Sequence, residues 1–79
     1  MREFKVTALW DAEASVWVAE SEDVPGLVTE ADTVEKLVAK LRVMVPELLE
    51  ANGVLAANVT DVPIRLIAER EVHAPRHAA

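Results

Sequence analysis

Cysteine is absent from this chain, and two constructions go with it. No disulfide framework can staple the fold, and no thiolate metal site can be built. The same absence fits a reducing, cytoplasmic setting. Aromatic residues are scarce: one Phe, two Trp and no Tyr. Glycine occurs only at Gly26 and Gly53, which leaves no Gly-rich loop to cradle a phosphate. No apolar run approaches a membrane span, and Met1-Arg2-Glu3-Phe4-Lys5 opens the chain without the apolar segment of a signal peptide, so none is expected. Basic residues are missing from Asp11 through Glu35, a stretch that holds eight carboxylates: Asp11, Glu13, Glu20, Glu22, Asp23, Glu30, Asp32 and Glu35. With a net charge of −6, this argues against nucleic acid as the direct ligand, because phosphate contacts need clustered Lys and Arg.

What is present reads as one small domain. Seventy-nine residues bury only about 60–65% of the surface that the unfolded chain exposes, so stability is marginal unless copies associate. Phe4 to Trp10 alternates with the period of a strand, and Val16 to Glu20 follows as a second one. A five-residue hairpin loop, Asp11–Ser15, pairs Trp10 with Val16, Leu9 with Trp17 and Ala8 with Val18. Pro25-Gly26 suits a turn, because Pro presets φ at one centre and Gly accepts a positive φ at the next. Leu27 to Glu30 is then a short third strand.

Asp32 is the expected helix N-cap, with Glu35 completing a capping box and Thr33 as the competing cap. Val34, Leu37, Val38, Leu41, Val45 and Leu48 fall on one helical stripe, with Met44 and Leu49 at its edges. Pro46 interrupts the hydrogen-bond ladder and predicts a kink near residues 42–45, while Asn52-Gly53 ends the helix as a left-handed cap. After a loop, Val62 to Glu69 alternates again as a fourth strand that starts at a proline needing no ladder donor. The expected fold class is α+β: β-β-β-α-β over residues 1–70, sheet order 3-2-1-4, one helix on one face, and a loose tail over 71–79.

One helix covers one face, and the opposite face is not polar. The phase that holds Lys5, Thr7 and Arg65 also holds Leu9, Trp17, Ala19, Val28 and Ile67 in the expected register. Such a patch on a small domain marks a protein interface.

Catalytic arrangements find little support. A two-metal nuclease needs acids converging from strand interiors and the helix, yet the first strand has none, and Asp11, Glu47 and Glu50 lie apart along the chain. His73 and His77 are separated by Ala74-Pro75-Arg76, which opposes the helix that a metal pair would need. No hydroxyl has a neighbouring base of the nucleophile type. No enzyme, no cofactor and no metal site is expected.

The segment Val18-Ala19-Glu20, the turn Asp23-Val24-Pro25-Gly26-Leu27 and the helix start Ala31-Asp32-Thr33 together resemble the amino-terminal domain of HicB-like antitoxins. The likeness spans about the first fifty residues. Leu27 stands where that family's turn has a cysteine, and Ala31 where it has a glycine before Asp-Thr. The resemblance implies a partial ribonuclease H-like fold without its catalytic acids. It further implies self-association and neutralisation of a small basic RNA-cleaving toxin by occlusion. The DNA-binding domain common in that family finds no counterpart here, so a repressor role is not carried over.

The leading expectation is therefore a non-catalytic protein-binding module. Leu9, Trp17, Val28 and Ile67 would supply its apolar contact, and Glu20, Glu22, Asp23 and Glu30 its charge complementarity. Its expected partners are a basic toxin and further copies of itself, as dimer or tetramer, with no direct nucleic acid and no membrane. The alternatives are a self-associating structural or regulatory homo-oligomer, and a small-molecule-binding domain with a pocket near Pro46.

Overall fold

A computed structural model describes residues 2–56 and 58–77. Four strands, β1 (Phe4–Asp11), β2 (Val16–Glu20), β3 (Val28–Ala31) and β4 (Ile64–Glu69), form one mixed sheet of order β3-β2-β1-β4. The helix α1 (Val34–Ala51) connects β3 to β4. β1–β2 and β2–β3 pair antiparallel, and β4 lies parallel to β1. The fold is α+β, with the strand order and single helix expected from the sequence pattern.

The hairpin register differs from expectation by one residue. Asp11 pairs with Val16, so Trp10 meets Trp17, Leu9 meets Val18 and Ala8 meets Ala19. Four residues, Ala12–Ser15, make the loop instead of five. Asp11 itself organises it: Oδ1 accepts from the backbone N–H groups of Glu13 and Ala14, at 3.1 and 3.3 Å. Ser15 closes the reversal with φ 54°. Because side chains alternate with period two, this one-residue change puts Trp17 and Ala19 on the helix-facing side of the sheet.

The core lies between that inner face and α1. Phe4, Val6, Ala8, Ala19 and Ala31 from the sheet pack with Val24 and Leu27 from the turn and with Leu37, Leu41, Val45 and Leu49 from the helix. These helix positions are an unbroken i, i+4 row, so Leu49 sits at the centre of the buried stripe and Leu48 beside it, half-buried. Each fully buried Val or Leu side chain of this set contributes about 1.5–3 kcal/mol relative to exposure. The helix runs uninterrupted through Pro46.

Turn and cap chemistry set the boundaries. Val24-Pro25-Gly26-Leu27 closes with Leu27 N–H donating to the Val24 carbonyl at 3.2 Å, and Gly26 takes φ 82°, the pattern of a type II turn. Thr33, not Asp32, is the N-cap: its Oγ1 accepts from Lys36 N–H at 3.1 Å. Asp32 points instead to the Lys36 ammonium, 3.1 Å away. At the other end Gly53 N–H donates to the Glu50 carbonyl and Val54 N–H to that of Leu49, a Schellman closure with Gly53 at φ 67°. β4 begins only at Ile64, with the Pro63 carbonyl accepting from Phe4 N–H at 2.9 Å.

Candidate functional site

The outer face of the sheet is built by the alternate phase of each strand. β1 contributes Lys5, Thr7, Leu9 and Asp11; β2 contributes Val16, Val18 and Glu20; β3 contributes Val28 and Glu30; β4 contributes Arg65, Ile67 and Glu69. The register arranges them in rows across the strands. One row reads Val28, Glu20, Thr7, Ile67, and the next reads Glu30, Val18, Leu9, Glu69. Leu9 and Val18 therefore form a central apolar pair with a carboxylate on either side in their own row. Lys5 and Arg65 lie next to each other at one end of the face.

Exposure follows from the missing cover. Val28 is 69% exposed and Leu9 51%, while Val16, Val18 and Ile67 are half-buried by their neighbours. Among the described residues, Glu20, Glu22, Glu30 and Glu69 take part in no ion pair, whereas Arg65 approaches Glu3 at 3.7 Å. The face thus presents aliphatic side chains separated by unneutralised carboxylates, a surface suited to a partner with apolar and basic groups.

The sequence-predicted residues divide. Leu9, Val28, Ile67, Glu20 and Glu30 come together on this face. Trp17 does not: it lies on the inner face, half-buried against the core, because the shorter hairpin loop shifts its phase. Ala19, assigned outward with it, is fully buried. Glu22 and Asp23 sit in the connection beyond β2.

Asp23 has a structural task there. Its Oδ2 accepts from Lys5 N–H at 2.8 Å, while the Ser21 hydroxyl donates to the Lys5 carbonyl. These two side chains continue the β1 ladder past the last residue of β2, and Ser21 Oγ also accepts from the N–H groups of Asp23 and Val24. Asp23 Oδ1 lies 4.0 Å from the Arg2 guanidinium. Sequence reading missed Val16 and Val18 as members of the face, while Glu69 falls in the outward phase expected with Arg65 and Ile67. The available signal was Asp11, an acceptor residue that favours the first position of a tight turn and so shortens the loop.

Two further features lie outside this face. Trp10 and Trp17 stack edge to face beside Arg70, whose guanidinium lies 4.2 Å from the Trp10 ring centroid. An open cleft of about 690 Å³ lies between α1, the residues before β4 and β4 itself, lined by Leu41, Pro46, Leu55, Val62, Ile64 and Leu66, with Arg42, Glu50 and Asp61 among its polar lining. Among the described residues no group of three His, Asp or Glu side chains could hold a metal ion, and no helix is long and apolar enough to cross a membrane. His73 and His77 lie in the exposed terminal segment, where His73 Nε2 is 3.1 Å from Glu71 Oε1.

A crystal structure of a hypothetical protein, TTHA1013, from the extremely thermophilic bacterium Thermus thermophilus is similar to this chain at 57% sequence identity and a TM-score of 0.70. The alignment covers 95% of this chain and 100% of that one. Among curated proteins nothing matches. The model of the family described as "Domain of unknown function (DUF1902)" matches residues 3–78, and the chain belongs to that family.

Proposed function

We propose that the protein is a non-catalytic, cytoplasmic protein-binding module of the HicB antitoxin type, which uses its outer sheet face to occlude a small basic RNA-cleaving toxin. The observation that carries this reading is the uncovered face itself, with Leu9 and Val18 flanked in register by Glu30 and Glu69 and adjoined by Glu20 and Val28. An apolar centre with an acidic surround suits a partner whose working surface is positive because it must hold RNA. The turn and helix-start resemblance to HicB-like domains supports the same reading.

The test is direct. The purified chain is mixed with whatever small basic protein is encoded beside it and titrated into an RNA-cleavage assay of that protein; the lack of such a neighbour would itself favour self-association. Stoichiometric inhibition that weakens with salt, and is lost in Leu9→Lys and Glu20→Lys, is expected. Inhibition indifferent to both substitutions, or no inhibition at saturating chain, would remove the reading.

A second reading, self-association without a toxin, is favoured by one specific observation. β4 lies at the border of the sheet, with its far backbone edge unpaired among the described residues. Small domains with an open edge of this kind are templates for pairing with another chain.

A further inference from the structure

The molecule is far longer than a folded chain of its size needs to be. Its extents are 63 × 24 × 19 Å and its radius of gyration is 15.7 Å, against about 12 Å for a compact domain of this length. The excess points to the terminal segment. Beyond Glu69, residues Arg70–His77 continue without secondary structure, and every one of them is exposed, Val72 at 73%. Arg70 stacks on Trp10 at the root of this arm. The arm carries Arg70 and Arg76 against the lone carboxylate Glu71, so it is locally basic in a chain of net charge −6.

The cleft beside α1 has the opposite character. It is apolar along Leu55, Val62 and Leu66, and in its lining the two carboxylates Glu50 and Asp61 outnumber the single cation Arg42. The molecule's own arm cannot fill it. β4 enters from the cleft end, at Asp61–Ile64, and leaves at the far end beside Trp10. To return, the arm would have to reverse direction and retrace about 20 Å of strand, most of the reach of the eight residues Arg70–His77.

A second copy solves the geometry. Phe4 N–H donates to the Pro63 carbonyl, and the parallel register then turns odd residues of β4 toward β1. The N–H groups of Ile64, Leu66 and Ala68 are left on the open edge. Two copies pairing antiparallel along that edge, centred on Leu66, place Val72 of each beside Thr60 of the other. Where the arm continues the strand in that pairing, alternation sets Arg70 and Val72 on the helix side with Ile64 and Leu66, where the cleft lies.

We propose that the chain forms a two-fold dimer through β4 edges, with each Arg70–His77 arm lying in the cleft between α1 and β4 of the other copy. The two sheets become one eight-stranded sheet with both helices on one side, so the outer faces remain uncovered together on the other. This deepens the self-association reading, and it stands apart from the toxin reading because it uses a different surface.

The test uses the full chain. Light scattering should give twice the 8.6 kDa chain mass. Ala68→Pro removes only an edge donor, leaving the β1 ladder intact, and should convert dimer to monomer with an unchanged far-ultraviolet dichroism spectrum. Val72→Asp should do the same by placing a charge in the apolar cleft. The cysteine-free background permits a positive test that does not depend on either variant: Thr60→Cys and Val72→Cys proteins, mixed and oxidised, should yield a crosslinked pair, and neither alone should crosslink as efficiently. A chain that is monomeric at tens of micromolar and gives no mixed crosslink would overturn the proposal, leaving the cleft to some other occupant such as a small apolar ligand. A dimer that survives Ala68→Pro and Val72→Asp but dissociates in Leu9→Glu would overturn it too, by placing the contact on the outer face.

Discussion

Trp10 and Trp17 face each other across the β1–β2 hairpin, with ring centroids 5.4 Å apart and planes inclined at 64°. This edge-to-face pair joins the two strands at the end of the sheet farthest from the Pro25-Gly26 turn. Trp17→Ala should therefore lower unfolding stability by about 2–3 kcal/mol, below the cost at a fully buried site because Trp17 is only half-buried. Urea denaturation measures this, and a cycle with Trp10→Ala should show about 0.5–1.5 kcal/mol of coupling. Unchanged stability with loss of assembly would return Trp17 to an outward role.

Leu9 and Val28 lie on the other face, and their substitution should separate binding from folding. Leu9→Lys and Val28→Lys should each change stability by no more than about 0.5 kcal/mol. Either should weaken the proposed complex with a basic partner by about tenfold or more, as expected when an apolar contact becomes a desolvated charge. Val43→Lys is the control, since Val43 is 58% exposed on the helix. Calorimetric titration would decide, and equal losses in all three variants would show that general charge, not this face, controls binding.

Asp23 and Glu20 are close in sequence but have different tasks. Asp23→Ala removes the acceptor of the Lys5 N–H and should cost about 1 kcal/mol of stability. Glu20→Ala should leave stability nearly unchanged and reduce affinity for a basic partner. Parallel thermal melts and binding curves test this pairing, and a stability loss confined to Glu20→Ala would contradict it.

Gly26 is required by its backbone. A Cβ there would sit 3.7 Å from Leu48 Cδ2, an ordinary contact, so the obstacle is the φ of 82° and not space. Gly26→Ala should cost about 1–2 kcal/mol through the left-handed conformation alone. The midpoint of thermal unfolding should fall accordingly, and an unchanged midpoint would mean that the turn relaxes to another type.

The helix start carries a pH prediction. A hydrogen bond from the Lys36 ammonium holds the Asp32 carboxyl below its ordinary range, and the charge of Lys36 adds to the effect. The folded-state pKa is depressed, so the stabilisation is present above the unfolded-state value and is lost as pH falls through the folded value. NMR titration should show Asp32 titrating lower than a free carboxylate, and Lys36→Met should return it toward the ordinary value. Thr33→Ala should cost about 1 kcal/mol at any pH, because Thr33 is the cap.

Much of this architecture is legible in the chain. Period-two alternation in Phe4–Trp10 and Val16–Glu20, the Pro25-Gly26 turn, the helical stripe and Asn52-Gly53 are local signals, and each is enforced by backbone sterics or by the periodicity of one element. They determined the element order, and the short connections then left few ways to arrange the strands. The Asp32–Thr33 ambiguity arose because both residues cap well, and it was resolved by Lys36, which draws Asp32 outward. The shift of Leu49 to the centre of the helix stripe depended on how α1 rolls against β2 and β3, which no single-element pattern contains.

The site was legible only in part, and for one reason. Hairpin parity is set by where Asp11 starts its turn and by Ser15 adopting a positive φ, and one residue of difference exchanges Trp17 and Ala19 for Val16 and Val18 on the outer face. Asp23 likewise reads as a surface charge along the chain, but its carboxylate accepts from the Lys5 N–H, eighteen residues away in sequence and 2.8 Å away in space. The sequence by itself determined the elements, their order, the acidic stretch without a cation and the two glycine turns, because these depend on neighbours along the chain. Tertiary structure alone decided which side chains share a face, which carboxylate is already engaged, and where a cleft and an open edge lie, because those depend on register and packing between strands.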